Sequence, residues 1–524
     1  MRERSQTEIR HFMHETNHEL QGLYTNMMDS LWHVITTGEI GYLHENERFE
    51  QAYQEALASP DLGRKMEAGL AGMEDDRILR RQFQMLRGEM LEYQAKPEER
   101  REITSLWNEL HYMHSTFRAR VDGALMSGNT VLVLLRRLKD ERQRKKIWQA
   151  SMEVGGQAAP KLIRLVKLRN QIARDHGYPH YFAMKLETQG ISPDMLRGVI
   201  RQLRSGLEAV YRKVKGEMDE ETAARFRIHR SELRSWHYAH PFVQTAQKRE
   251  QPGQVDINGL LPQLARWFDE RGLDIKPLLG RADLTGRPGK GQANCCLNID
   301  RGGDIRMSCN LTQDTEGLPI LLHELGHAIF EQGIDPELPF VLRQPAHPFV
   351  SEGVALLLER LASEPAWQQQ LQLGRSKARR RTRRNPQLRR ELLIKLYWTL
   401  TVIEFERELY TDPSRPLNRL WWDIVEDVQG IQRPDDWDYP YWAAKSHLST
   451  LPVYYYNYLL GEVAASQFQF SLQKEFGQWH SREALQHLNR QVFKPGASCT
   501  WNEIIASCTS CDLNPVFLIQ QLRN

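Results

Sequence analysis

Apolar positions recur at three- and four-residue spacing along most of the chain. Residues 8–35, 46–58, 77–120, 129–151 and 160–176 each carry such a stripe, which predicts amphipathic helices. Gly155-Gly156 and Gly190-Ile191-Ser192-Pro193 mark expected loops, and the Gly-rich stretch 280–292 reads as a long connection. That stretch lacks the spacing and the Ser or Thr of a phosphate-binding loop. The period then shortens. Residues 295–299 and 305–310 partly alternate, and Asp300-Arg301-Gly302-Gly303 between them reads as a hairpin turn. A helix follows, entered through Asp314 or Thr315, with Pro319 in its first turns and Gly333 as its stop. From Pro336 onward helical spacing resumes, and no repeat of fixed period is visible. The pattern predicts a mostly α protein with one small sheet.

Composition narrows the class. The 524 residues are 40% hydrophobic and 26% charged, which is ordinary for a soluble chain. Lys and Arg number 70 against 67 Asp and Glu, so the net charge of +3 gives no reason to expect nucleic acid as a partner. The start, MRERSQTEIR, has no apolar signal segment. No run of about 18 apolar residues exists to span a membrane. A cytoplasmic protein is therefore expected, and with it free thiols at the six cysteines. Cys508 and Cys511 form a CxxC without a second ligand pair nearby, so ordinary packing is the expected role. Residues 375–390 are strongly basic and read either as a solvated face or as a surface for anionic partners.

The chemistry concentrates at His323-Glu324-Leu325-Gly326-His327. On a helix, positions i and i+4 share a face, so both imidazoles can reach one ion. Glu324 then stands where a carboxylate can take a proton from metal-bound water. Leu321, Leu322, Leu325, Ala328, Ile329 and Phe330 make the helix apolar nearly all round. Polar groups buried there are costly unless paired or metal-bound. A catalytic zinc takes three protein ligands and keeps one position open. Glu352, 29 residues after His323, is the expected third; its alternative is a dipole-stabilising acid at a helix start. Glu359, two turns further, either accepts the remaining N–H of a zinc histidine or pairs with a base such as Arg360.

HELGH with a glutamate at this distance resembles the gluzincin peptidases of the angiotensin-converting enzyme and thimet oligopeptidase type. Trp421-Trp422, Lys445-Ser446-His447, Pro452-Val453-Tyr454 and Gln467-Phe468-Gln469-Phe470 recur in that order in the angiotensin-converting enzyme-like peptidyl-dipeptidases. Met28-Asp29-Ser30-Leu31-Trp32 is similar to that family's lid helices. The similarity is good over 290–475, suggestive over 10–40 and weak between. Leu356 departs from the family, which has an aspartate there, while Glu359 follows the oligopeptidase pattern.

The resemblance implies an ellipsoidal helical fold with a deep substrate channel and a small β-sheet beside the HExxH helix. It implies a single catalytic unit over 1–524, with lid helices in 1–120 and a zinc- and substrate-binding core in 290–475. It also implies one Zn2+ per chain, oligopeptide substrates, and release of C-terminal dipeptides. Lys445 would bind the peptide's free carboxylate with help from Tyr454, and His447 would hydrogen-bond the backbone or the oxyanion. The oxyanion tyrosine falls near Tyr456 or Asn457 by one count, and on Tyr458 by the oligopeptidase pattern. Tyr458, which shares a helical face with Tyr454, is the expected oxyanion donor, and Tyr456 is an expected substrate-binding residue. Cys296, Leu297 and Asn298 would form the strand edge that an extended peptide joins. The alternatives are an oligoendopeptidase or metallocarboxypeptidase of related fold and, outside enzymes, a peptide-binding protein without catalysis. Oligomeric state is left open.

Overall fold

The computed structural model describes residues 2–70, 76–246, 254–314, 316–371 and 386–523. Of the sequence expectations, the Thr315 cap and residues 375–385 of the basic run lie outside these residues. The chain divides into two compact units, and each is built from separated stretches.

The first unit comprises Met1–Gln94, Gln251–Arg381 and Leu460–Leu518. Its N-terminal helix, Arg2–Thr37, packs against Ile40–Leu57. Asn46 bonds across this pair, to Met27 O at 2.8 Å and Ser30 Oγ at 3.1 Å. Met13, Leu20, Tyr53, Leu57, Phe83 and Phe340 close a core beneath it. The expected hairpin is present as Cys295–Asn298 and Ile305–Ser308, antiparallel, with Cys296 opposite Met307 and Leu297 opposite Arg306. Arg306 bonds to Asp29 at 2.8 Å and so ties the hairpin to the N-terminal helix.

The second unit comprises Ala95–Glu250, Thr382–Leu459 and Ile519–Asn524. Buried aromatic rings dominate it, among them Trp148, Trp398, Trp421 and Trp422. The fully buried Arg144 crosslinks it by donating to Trp236 O at 2.6 Å and Tyr238 O at 2.7 Å. Such bonds satisfy the guanidinium where water cannot.

Four sequence expectations change. The stretch 129–151 is two helices, Gly128–Arg137 and Glu141–Met152, with Asp140 capping the second by accepting from Gln143 N at 2.8 Å. The stretch 77–120 is two helices, Arg77–Met90 and Pro97–Thr116, because Pro97 restarts the chain at a helix first turn. A second hairpin follows, Ala119–Val121 with Ala124–Met126, turned by Asp122 and Gly123 at φ 48° and 85°. Asp-Gly with both φ positive is a favoured two-residue hairpin turn. Gly155-Gly156 is not a loop: the helix Val154–Asp175 runs through it. A Cβ at Gly155 would lie 2.4 Å from Pro440 O, so glycine here permits close backbone packing. Among the described residues no helix is long and apolar enough to cross a membrane.

Candidate metal centre

Two helices of the first unit supply the site. Gly317–Gly333 carries the HExxH motif, and Pro348–Glu359 carries the two later glutamates. Asp314 starts the first by accepting from Glu316 N at 2.8 Å and Gly317 N at 3.1 Å. The second starts at Pro348, after His347, whose Nδ1 accepts from Phe349 N at 3.1 Å. The helices touch at Gly326, where a Cβ would lie 2.5 Å from Ala355 Cα. Any side chain at 326 would push them apart.

This contact brings the donors together. One donor atom each from His323, His327 and Glu352 lies within 4.8 Å of the others, the only such group of three among the described residues. His323 Nδ1 is 3.1 Å from Glu359 Oε2, and His327 Nδ1 is 2.7 Å from Ser351 Oγ. Each ring thus has its Nδ1 engaged and leaves Nε2 for an ion, the arrangement that fixes a zinc histidine's tautomer. His323 Nε2 is 3.8 Å from Glu352 Oε2. Two imidazoles and one carboxylate form a donor set that fits a catalytic zinc.

The electrostatics agree with that chemistry. Burial, with a push from the His323 charge, drives His327 down to about 3, so it is a neutral ligand. Burial also opposes charge on His323, but the hydrogen bond and charge of Glu359, with Glu352 and Glu324, outweigh it and raise its value. Glu324 is only 7% exposed. Burial pushes it up to about 7, against the pull of His323 and with help from Glu352 and Glu359. A carboxyl near neutrality is suited to general-base work.

Arg360 pairs with Glu462 at 3.1 Å and also donates to Gln469 Oε1 at 2.8 Å, which anchors the helix beside Glu359. Glu359→Gln should weaken zinc binding about 10- to 100-fold. Competition against a chelator measures this, and unchanged affinity would refute the role.

Cys296, Leu297 and Asn298 lie on the first strand of the hairpin in this unit. Asn298 donates to Glu331 Oε2 of the metal helix at 2.9 Å. All six cysteines are free thiols. Burial pushes Cys295 up to about 11 and raises Cys296 and Cys309 too, so these thiols stay protonated. Cys508 is buried, and Cys511 Sγ lies 3.3 Å from Gln467 Nε2.

The remaining candidates belong to the second unit. Lys445 lies 5.6 Å from the Trp398 ring centroid and 5.7 Å from that of Tyr455, and donates to Gln244 Oε1 at 3.3 Å. Burial pushes it down to about 8. His447 is driven to about 3 by burial and by Lys445, so it is a neutral donor. Its buried Nδ1 has no hydrogen bond among the described residues. The rings of Tyr454 and Tyr458 meet edge-on at 5.2 Å. Tyr456 is 1% exposed and its hydroxyl donates to Gln189 Oε1. Trp421 and Trp422 are core residues.

Sequence reasoning missed Ser351. Its signal was slight: one hydroxyl directly before Glu352 at the start of an apolar helix.

Residues 3–227 match the peptidase M2 family, angiotensin-converting enzyme. No curated protein matches the chain. The matched stretch ends well before His323, so it is independent of the metal motif. It also falls largely where the motif-based similarity is weakest. A family match over one part of the chain and a His–His–Glu donor set in another are two separate observations, and both are similar to what the angiotensin-converting enzyme family of zinc peptidases carries.

Proposed function

We propose that the protein hydrolyses short peptides and releases C-terminal dipeptides, with one zinc per chain. The observation that carries the hydrolytic reading is the donor set of His323, His327 and Glu352 with the buried Glu324 beside it. When bound there, zinc supplies Lewis acidity that activates water and polarises a carbonyl. Glu324 accepts the proton of the attacking water and passes it to the leaving amine. The Tyr458 hydroxyl donates to the carbonyl oxygen as negative charge develops. The neutral His447 adds a second donor, and strand residues 296–298 offer main-chain groups to the extended peptide.

The dipeptide reading rests on Lys445. The Lys445 ammonium, bonded to the neutral Gln244 Oε1, is a point charge for a carboxylate. Its value of about 8 sets a pH dependence. Below 8 the ammonium is charged and attracts the free C-terminus; above 8 it is neutral. KM for free-acid peptides should therefore stay flat up to about pH 7 and rise beyond 8, while KM for amidated peptides should not follow. A pH series of KM on both forms, repeated with Lys445→Ala, checks this. Loss of the rise in the variant is the expected result.

The test of the function is mass spectrometry of products from a mixed peptide pool, offered as free acids and as amides. Dipeptides released from free acids alone support the reading. Internal cuts in both forms would favour an oligoendopeptidase, and single residues a carboxypeptidase. No products from any peptide would leave a binding protein.

A further inference from the structure

Val453 has φ 55°, in the left-handed region that a β-branched side chain adopts only under strain. It follows Pro452 at a turn position where glycine is the default. It is 3% exposed and stands one residue before Tyr454 and two before the helix Tyr455–Phe476. Its N–H donates to Glu406 Oε1 at 2.7 Å. Glu406 lies in the helix Pro386–Thr411 and is 2% exposed. That amide is its hydrogen-bond partner among the described residues, and the charge of Arg169 acts on it as well. Arg169 in turn donates to Ser449 O and Tyr410 Oη, each at 3.2 Å. The short segment 449–453, which joins His447 to Tyr454, is thus gripped by two buried side chains from outside it.

A carboxyl buried for one backbone amide and a strained valine at that same amide are two unfavourable features at one point. Such features persist where the surroundings over-determine them, and they cluster at working sites. Neither is used by the hydrolytic steps above.

We propose that Glu406 is a positioning residue: by holding the Val453 amide it fixes the entry of the tyrosine helix, and so the placement of Tyr454 and Tyr458 toward the peptide. This rests on the reading that those two tyrosines contact substrate. Glu406→Gln keeps an acceptor of the same shape. Glu406→Leu removes it and leaves the strained residue unsupported. Val453→Gly removes the strain itself.

The test measures kcat and KM on a free-acid hexapeptide for Glu406→Gln, Glu406→Leu, Val453→Gly and the Leu–Gly double variant. Tyr454→Phe and Tyr458→Phe are run alongside. Glu406→Gln should cut at close to the wild-type rate. Glu406→Leu should lose about 10- to 100-fold in kcat/KM, shared between kcat and KM, as expected for misplaced substrate contacts. The double variant should recover most of that loss. A purely structural role would lower the melting temperature and leave the folded enzyme's kinetics unchanged. Wild-type kinetics in Glu406→Leu, with both tyrosine variants impaired, would overturn this inference alone. Equal impairment of Glu406→Leu and the double variant would overturn it too. Wild-type rates in both tyrosine variants would overturn the tyrosine reading and this one with it. Should Glu406→Leu not fold, the double variant decides: the proposal requires it to fold and cut, and its failure counts against the proposal.

Discussion

Glu324→Gln will keep its zinc and lose about 10²- to 10⁴-fold in kcat. The amide preserves shape and can still accept a hydrogen bond, but it cannot take a proton from water. Glu324 contributes no donor to the group formed by His323, His327 and Glu352, so the ion should remain bound. Metal analysis of the purified variant, set beside its kcat, checks both halves. Unchanged kcat would remove Glu324 from the reaction, and loss of zinc would make it a ligand instead. The sign of the pH dependence follows. Glu324 must be ionised to act, so activity is lost as pH falls through its value. Burial sets that value at about 7 in the metal-free chain. A bound cation favours the carboxylate and moves the acid limb below 7.

Tyr458→Phe will lose about 10²- to 10³-fold in kcat with little change in KM, while Tyr456→Phe will keep most of its activity. An oxyanion donor must offer its hydroxyl to substrate. Tyr456 is fully buried and its hydroxyl is bonded to Gln189. Tyr458 is half-buried, with its ring held edge-on by Tyr454 at 5.2 Å and by Tyr455 at 5.5 Å. That cage orients a phenol without enclosing it. Steady-state kinetics of the two variants on one peptide decides between them, and the reverse ranking would move the role to Tyr456.

Much of the metal centre was legible in the sequence. His323 and His327 are related by one helical turn, and helical period needs no tertiary knowledge. The hairpin at 295–308 announced itself by a change of period around a Gly-rich turn. Glu352 was legible because few acids stand in so apolar a helix. What stayed hidden depends on neighbours distant in sequence. Gly155-Gly156 read as a break, since nothing local reveals that Pro440 and Tyr439 pack against it. The hairpin at Asp122-Gly123 has strands of three residues, too short to show alternation against the helices around it. Ser351 and Glu406 are single polar residues whose partners lie 24 and 47 positions away. The same contrast explains the family match. Motif-based similarity is strongest where residues carry chemistry, whereas residues 3–227 are mostly helical scaffold with no such residue to catch the eye.

The contact between Gly326 and Ala355 bears on what the two unspecified positions of the HExxH motif mean in this chain. Leu325 is fully buried and is held by its size, as many core leucines are. Gly326 is held by its lack of size. Because backbone meets backbone there, the separation between the histidines on one helix and Glu352 on the other is set by atoms that no rotamer change can move. A side chain at position 326 would therefore change the spacing of the donors without touching any of them. The smallest residue of the motif, which touches no metal, is the gauge that spaces the site.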